Sequence, residues 1–391
     1  MSLDKDQQKA ALTQQVIAHL KKSLTAEKAE MAACYVQQCF RRVPVEDLAL
    51  EAPQTLAGIV VGQLDLLSKK APGEVLIRIF NPTLESHGWD SPHTIVEIVN
   101  DDAPFLVDSA SLAFSEMDIG VHLIMHPVIR VGRSKAGVLQ AVYPKKENRG
   151  SAESVMQFQV DRKTSERELE SIRGMLEEVF CDVHQAVGDW RKMERSAAQA
   201  AASLKEWAPN ADEAWTEECQ AFLQWLLDDH FIFLGVRDYE VVRDKDGGEL
   251  RVRDGSGLGI LRETSDLVRT RPLASLAINQ QKRQPLPLII TKTNARSTVH
   301  RRGYMDYIGV LKFDKEGSTI GERRFLGMFT SSAYNLNAMD TPLVSVRARK
   351  VLDNLGLVQG SHAWKSMVHI LETLPRDELY GCTTETARRL L

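Results

Sequence analysis

The chain has 391 residues, of which 43% are hydrophobic and 26% are charged. Such a length predicts two or three domains, and the composition excludes a disordered chain, a collagen and a disulfide-rich miniprotein. The 49 basic and 53 acidic residues give a net charge of −4, so the bulk charge provides no general attraction to nucleic acid or to an anionic membrane.

The sequence also favours a cytoplasmic location. No apolar run reaches the roughly 18 residues that a membrane-spanning helix needs, and the most apolar stretch, residues 222–234, is interrupted by Asp228, Asp229 and His230. The N-terminal residues are polar and include acids, unlike a signal or transit peptide. Five cysteines without a C-x-x-C pair indicate reduced thiols.

Residues 1–72 are predicted to be a helical segment. Apolar residues recur at four-residue steps from Leu12 to Leu24, which predicts a helix over residues 4–40. Prolines then interrupt the pattern, and a second helix is predicted over 54–70. An Ala-Pro-Gly turn ends the segment.

Residues 73–194 are predicted to form a βαββαβ unit, which is a split βαβ sheet with helices on one face. The proline inside the third predicted strand indicates an edge position or a bulge there. The predicted strands cover residues 74–80, 94–99, 122–131, 137–143 and 154–160, and the predicted helices cover 104–117 and 165–190.

The rest of the chain is predicted to contain a linker and connecting helix over 195–230, a second β-rich α+β domain over 231–338, and a helical segment over 339–391. The fold class is therefore α+β. The last residues begin a new helical pattern that reaches Leu391 without a cap, which predicts that this chain is the front of a longer one.

No constellation of residues predicts catalysis within this chain. Residues 254–260 approach the dinucleotide fingerprint G-x-G-x-x-G, but Ile260 occupies the last glycine position, so a turn with positive φ angles is predicted instead. His122 and His126 would lie about 13 Å apart on a strand, too far to bind one metal ion. The sequence predicts no catalytic residue, no cofactor-binding residue and no metal ligand.

One candidate binding segment lies where the first core strand passes into its helix. It contains Asn100, Asp101, Asp102, Phe105 and Asp108. A proline in the first helical turn leaves backbone N–H groups that favour an anion, and Asp101 or Asp102 could meet an ammonium group. The segment could therefore bind a free amino acid. The alternative is that one of these aspartates only caps the helix.

A second candidate cluster contains Arg296, His300, Arg301 and Arg302. Three guanidinium groups and an imidazole within seven residues could bind a carboxylate or a phosphate. The alternatives are a solvated edge and a contact between subunits.

Eight blocks of sequence follow one another along the chain. They are HTIVEIVNDDAPFLVDS at 93–109, His-Pro-Val at 126–128, and the blocks at 187–193, 222–239, 257–262, 296–307, 321–334 and 375–379. In this order they resemble the N-terminal part of the large NAD-dependent glutamate dehydrogenases of bacteria, and the resemblance covers residues 30–391.

The resemblance implies a longer enzyme that oxidatively deaminates L-glutamate to 2-oxoglutarate and ammonia with NAD. Its catalytic lysine and its nucleotide-binding domain would lie beyond residue 391. The resemblance also implies an ACT-like, ferredoxin-like domain at 73–194 and a PAS-like or second ACT-like domain at 231–338. The partners that it implies are the C-terminal catalytic part of the same chain, further copies in a homo-oligomer, and an amino-acid effector.

ACT loops that bind ligands commonly have a glycine after the proline, whereas this chain has Phe105 there. The resemblance favours an N-terminal regulatory and assembly segment with no catalytic residue, the NAD being bound elsewhere in the full-length enzyme. The alternative is a structural oligomerisation or scaffold module without a small-molecule site.

Overall fold

The structure is a computed structural model that describes residues 2–147, 149–244, 247–262, 270–272, 287–373 and 380. The chain forms two compact units, residues 1–181 and residues 182–391. The finer domain boundaries predicted from the sequence, at 72, 194, 230 and 338, stay predictions.

The first unit begins with the predicted helices. They are α1 (Ser2–Ser23), α2 (Ala26–Cys39), α3 (Val45–Leu48) and α4 (Pro53–Leu66). The single helix predicted over 4–40 is wrong, because the backbone of Thr25 is extended (φ −61°, ψ 156°) and separates α1 from α2. Apolar residues at helical spacing resume with Ala29 and Ala32 soon after the break, so the sequence pattern conceals it.

A six-stranded sheet follows, in which every neighbouring pair is antiparallel. The path runs β1–β2–β6–β4–β5, and β3 also pairs with β6. The strands are β1 (Leu76–Phe80), β2 (Thr94–Asp101), β3 (Val121–Met125), β4 (Val128–Arg133), β5 (Leu139–Tyr143) and β6 (Ser151–Val160).

The predicted split βαβ arrangement is present. Helix α6 (Leu106–Glu116) connects β2 to β3, and these two strands lie parallel with β6 between them. The outer position beside β2 is filled by β1, which precedes β2 in the sequence and is separated from it by the short α5 (Leu84–His87). The last strand of the predicted βαββαβ order is not found, because no described strand of this sheet follows α7 (Glu166–Trp207).

The strand predicted over 122–131 is two strands. Pro127 separates β3 from β4, and both pair with successive parts of β6. The missing N–H of proline leaves its carbonyl as the hydrogen-bonding group, and it accepts a bond from the backbone N–H of Val155 at 3.0 Å. The sequence predicted an edge position or a bulge at this proline, whereas the structure has a break between two strands there.

Helices cover both faces of this sheet, so the prediction of helices on one face is wrong. On one face, Phe114 of α6 packs against Phe158 of β6 with ring centroids 5.1 Å apart. The opposite face packs against the N-terminal helices, and the buried cluster there includes Val16, Leu20, Tyr35, Val36, Leu56, Val60, Ile95, Val99 and Val155. Burial of both faces explains why β2 is buried along nearly its whole length.

Helix α7 (Glu166–Trp207) has 42 residues and runs from the first unit into the second. Ser165 caps this helix, since the backbone N–H of Glu168 donates to the Ser165 hydroxyl at 3.1 Å. The helix continues to Trp207, within the range predicted to hold a linker and a connecting helix. Helix α8 (Glu213–Trp225) then begins at Asp212, whose carboxylate accepts from the N–H of Trp215.

The second unit contains an antiparallel sheet with the order β10–β8–β7–β13–β12–β11, and β9 pairs with β7. The short strand β9 ends at Gly259, which has a left-handed backbone (φ 58°). The strands are β7 (Phe231–Asp244), β8 (Gly247–Val252), β9 (Leu258–Gly259), β10 (Thr270–Pro272), β11 (Leu288–Arg296), β12 (Tyr304–Phe313) and β13 (Thr319–Phe329).

The chain continues with α9 (Ser331–Asn335), α10 (Val344–Asn354) and α11 (His362–Thr373). One buried cluster joins these helices, α8 and the second half of α7 to one face of the second sheet, and it includes Met193, Leu204, Phe222, Val236, Ile308, Phe325, Val344 and Leu371. The helical pattern predicted after residue 375 lies outside the described residues.

Candidate functional site

The predicted binding segment lies at the end of β2 and the beginning of α6. Asn100 is buried on β2 and pairs in register with Ser154 of β6, while Asp102 is exposed and its backbone N–H donates to the Ala152 carbonyl at 3.0 Å. Asp108 lies in the first turn of α6, where its negative charge interacts favourably with the helix dipole.

Asp101 already has two partners from the turn before β1. Its carboxylate accepts from Lys70 Nζ at 2.6 Å and from the backbone N–H of Gly73 at 2.9 Å. The Lys70 side chain is 1% exposed and also lies 4.0 Å from Glu153, which receives two hydrogen bonds from Arg133 at 2.6 and 2.8 Å. An incoming ammonium group would have to compete with Lys70 for Asp101.

Phe105 immediately precedes α6 and has a left-handed backbone (φ 72°, ψ 0°). This is the conformation that the glycine of the family's loop adopts at lowest cost. The cap position of α6 is Phe105, whose side chain makes no capping hydrogen bond. The capping alternative and the effector role of this segment both stay predictions.

Sequence reasoning missed the charged side chains that surround this segment. Lys70, Arg133 and Glu153 come from three different places in the sequence, and Glu153, the one charged residue of its strand, was the only signal for them. His126, the neighbour of Pro127, also contacts this region, because its Nε2 lies 2.8 Å from the Ser154 hydroxyl.

The arginine cluster lies in the connection between β11 and β12. The Arg296 guanidinium lies over the Tyr304 ring at 5.5 Å, and Arg301 donates to the Phe329 carbonyl at 2.9 Å. His300 has a left-handed backbone (φ 73°), and Arg302 is exposed. These contacts hold the connection in place, and an anion-binding role for the cluster stays a prediction.

The glycine-rich loop at 254–260 is a turn, as predicted, with φ angles of 72° at Gly255 and 58° at Gly259. A Cβ on Gly259 would lie 2.1 Å from the Leu234 carbonyl oxygen, so this glycine is needed for packing against β7. The loop therefore packs closely against β7 at Gly259 and does not fit the pyrophosphate of a dinucleotide there.

This loop is held by Asp189 of α7. The buried Asp189 carboxylate accepts from the Gly259 N–H at 3.1 Å, from Arg262 Nε at 2.9 Å and from Lys192 at 3.0 Å. Burial opposes its ionisation, but these donors outweigh burial and lower the pKa of Asp189. Two of the sequence blocks that carry the resemblance, 187–193 and 257–262, thus contact each other here.

A second set of buried charges lies in the sheet of the second unit. The Arg324 guanidinium stacks on the Tyr239 ring at 3.8 Å and pairs with the buried Glu322 at 3.2 Å. Burial opposes the charge, but Glu322 and the neighbouring tyrosines outweigh burial and raise the pKa of Arg324. The nearby Arg237 is 1% exposed and donates to the Arg262 carbonyl at 2.5 Å.

The two histidines considered as a metal pair have separate partners. His122 lies 2.8 Å from Asp161, and His126 contacts Ser154. Across the described ranges, no three histidine, cysteine, aspartate or glutamate side chains are placed to hold one metal ion. Across the same ranges, no helix combines the length and the apolar character that crossing a membrane requires.

Two protein-family descriptions match this chain. "Glutamate dehydrogenase, ACT1 domain" matches residues 35–179, which include the whole six-stranded sheet, α6 and the start of α7. "Glutamate dehydrogenase, helical motif 1" matches residues 341–389, which include α10 and α11.

Three relatives carry the name NAD-specific glutamate dehydrogenase. The protein of Halomonas elongata is 34% identical over 379 residues, which are 96% of this chain and 24% of that protein. The protein of Pseudomonas aeruginosa is 30% identical over 381 residues, 95% of this chain and 23% of that protein. The protein of Mycobacterium tuberculosis is 26% identical over 302 residues, 76% of this chain and 17% of that protein. The chain spans about a quarter or less of the length of these relatives.

Proposed function

The chain belongs to the family of the NAD-specific glutamate dehydrogenases, whose N-terminal segment it matches, and we propose that it is the regulatory and assembly segment of such an enzyme. The parent enzyme would convert L-glutamate, NAD and water to 2-oxoglutarate, ammonia and NADH. In this proposal the hydride transfer takes place on residues outside this chain, and NAD binds there.

One observation carries the proposal. The ACT1 match at 35–179 coincides with the antiparallel sheet and helices of the first unit, and the one glycine-rich loop of the described part packs against its own β7 strand. The chain thus has a domain of a type used for control and assembly, and its described residues offer no fit to a dinucleotide at that loop.

Five further features belong to the same proposal. Residues 231–338 would be the PAS-like or second ACT-like module, supported by a sheet in which the first strand, β7, lies between β8 and β13. The parent would be cytoplasmic and homo-oligomeric, with the catalytic part of the same polypeptide as the partner of this segment. An amino acid would be the effector.

Activity measurements test whether catalysis takes place outside this chain. The purified 391-residue chain, incubated with L-glutamate and NAD, should form no NADH, while the full-length Pseudomonas aeruginosa relative serves as the positive control in the same absorbance assay. Sustained NADH formation by the chain alone would place the chemistry within it and overturn the proposal.

A structural module without a small-molecule site is the second candidate function. It is favoured by the contact between Asp101 and the buried Lys70, which occupies the acidic group of the predicted effector segment. Under this candidate, Asp101→Asn and Asp102→Ala in the full-length enzyme leave the response to amino acids unchanged. A lost response in the exposed Asp102→Ala variant, with normal basal activity, would contradict it.

A further inference from the structure

The first unit contains a cavity of about 560 Å³ between the N-terminal helices and the sheet. It exists because α1, α2 and α4 cover a sheet face that contains polar side chains as well as apolar ones. The residues that matter for its chemistry are Gly58, Gly62, Asp65, Arg78, Trp89 and Glu97.

Glu97 is the buried acid of this cavity. Its side chain is 0% exposed, and its Oε2 accepts from Arg78 Nε at 2.8 Å. Its other oxygen, Oε1, is buried and has no hydrogen-bond donor among the described residues. Burial raises the pKa of Glu97, and the charge of Arg78 opposes that shift. A buried carboxylate oxygen without a donor is rare in folded proteins, which points to a donor supplied by something bound.

Arg78 is the basic group of the cavity, and part of its guanidinium remains available. Nε and Nη2 bind Glu97, and Nη2 also donates to the Gly62 carbonyl at 2.7 Å. Nη1 lies 3.9 Å from the exposed Asp65 carboxylate, which is beyond hydrogen-bond distance. Nη1 can therefore donate to an incoming carboxylate, as the forked geometry of arginine favours.

Two glycines of α4 allow side chains of the cavity wall to approach the helix closely. Gly58 and Gly62 lie four residues apart, on the same side of the helix. A Cβ on Gly58 would lie 3.0 Å from the Trp89 ring, and a Cβ on Gly62 would lie 3.3 Å from Arg78 Nη2. Glycine is an unfavourable residue inside a helix, so their presence is explained by the close packing of Trp89 and Arg78 that they permit.

We propose that this cavity binds a small zwitterion, whose ammonium group donates to Glu97 Oε1 and whose carboxylate accepts from Arg78 Nη1. An anion alone would be repelled by Glu97 and Asp65, and an amine alone would be repelled by Arg78. Amino acids are the simplest such ligands. The site is separate from the segment at 100–108, and only the ligand's role as an effector rests on the proposed function.

Calorimetric titration of the 391-residue chain tests the site. The probes are the twenty protein amino acids, β-alanine and γ-aminobutyrate, with methylamine and acetate as ligands that carry one charge each. At least one zwitterion should bind, and the two single-charge ligands should bind weaker by about tenfold or more, as expected when one charged hydrogen bond is lost.

Because Glu97→Gln would leave Arg78 without its partner and could unfold the unit, Gly62→Ala is the decisive variant. It adds one methyl group inside the cavity and suits a helix better than glycine. It should weaken zwitterion binding by about tenfold or more through crowding of Arg78. The matched control is Gly174→Ala on α7, where a Cβ would have nothing within 4 Å, and its affinity should equal that of the unchanged chain.

The proposal is overturned if no zwitterion binds, or if Gly62→Ala and Gly174→Ala bind equally well. Binding that survives in Gly62→Ala but disappears in Asp102→Ala would place the ligand at the segment before α6, which removes this site and leaves the proposed function standing. NADH formation by the chain alone would remove the proposed function without affecting a measured binding site.

Discussion

Phe105 has a backbone conformation that ordinarily belongs to glycine. Its φ of 72° lies in the left-handed region, directly before α6, and the residue is half-buried. A side chain in that region costs of order 1–2 kcal/mol. The chain therefore tolerates backbone strain where a relative with a ligand-binding loop would have glycine, which indicates that the aromatic ring contributes packing there.

Comparing two substitutions at this position isolates the backbone strain. Because both Phe105→Gly and Phe105→Ala remove the ring, we expect the glycine variant to be more stable by about 1 kcal/mol, since only alanine retains the cost of the positive φ. Urea unfolding measures this difference. At Val107, inside α6, the same two substitutions should rank in the opposite order. Equal stability of the two Phe105 variants would contradict the strain.

Asp101 shows how far sequence reasoning extends at a single residue. Its place after a buried strand was visible in the sequence, and the structure confirms that β2 ends there. Its partner Lys70 lies 31 positions earlier, and no local pattern links the two residues. Spacing along the chain describes a residue's own element, whereas an ion pair between elements depends on how they pack.

Most elements were predictable because each carries its own periodicity. The strands β1 and β2 and the helix α6 lie close to their predicted positions. The errors fall where backbone geometry interrupts a continuous side-chain pattern, as at Thr25 between α1 and α2 and at Pro127 between β3 and β4.

The contact between α7 and the turn at 254–260 depends on one carboxylate, so we expect Asp189→Asn to lower the free energy of unfolding by about 1.5–3 kcal/mol at neutral pH, as for hydrogen bonds to a charged group. Since the folded pKa of Asp189 is lowered, its stabilisation is present above the unfolded pKa of about 3.9 and is lost as the pH falls through the folded value.

Urea unfolding at neutral and acidic pH therefore checks both the size and the pH dependence. The deficit of Asp189→Asn should shrink as the pH falls below the unfolded value. Glu206→Gln, an exposed change on the same helix, is the control and should stay within about 0.5 kcal/mol of the unchanged chain. A deficit that is independent of pH would show that the charge of Asp189 does not hold the turn.

At the scale of the whole molecule, the sheet of the first unit ends at β1, which pairs only with β2 among the described strands. Its mainly apolar sequence and half-buried edge favour pairing with a second copy, although Arg173 donates to the Ile77 carbonyl at 2.7 Å and covers part of that edge.

We therefore expect the chain to self-associate at micromolar concentration, and Arg173→Ala to strengthen the association because it uncovers the carbonyl. Sedimentation velocity over a concentration series measures this. Arg167→Ala, which changes an exposed arginine of the same helix, should have no effect. If Arg173→Ala associates no more strongly than Arg167→Ala at every concentration, this edge is excluded as the contact.

The sequence by itself determined the α+β class, the positions of most elements and the membership of the family. Periodicity, turn residues and the order of the sequence blocks are all properties of the linear sequence, and none of them requires knowledge of contacts between distant residues. Only the tertiary structure decided that helices cover both faces of the first sheet, that Lys70 neutralises Asp101, and that Glu97 and Arg78 meet inside a cavity. The physical reason is that burial and ion pairing depend on distances between residues far apart in the sequence, and those distances exist only after the layers have packed.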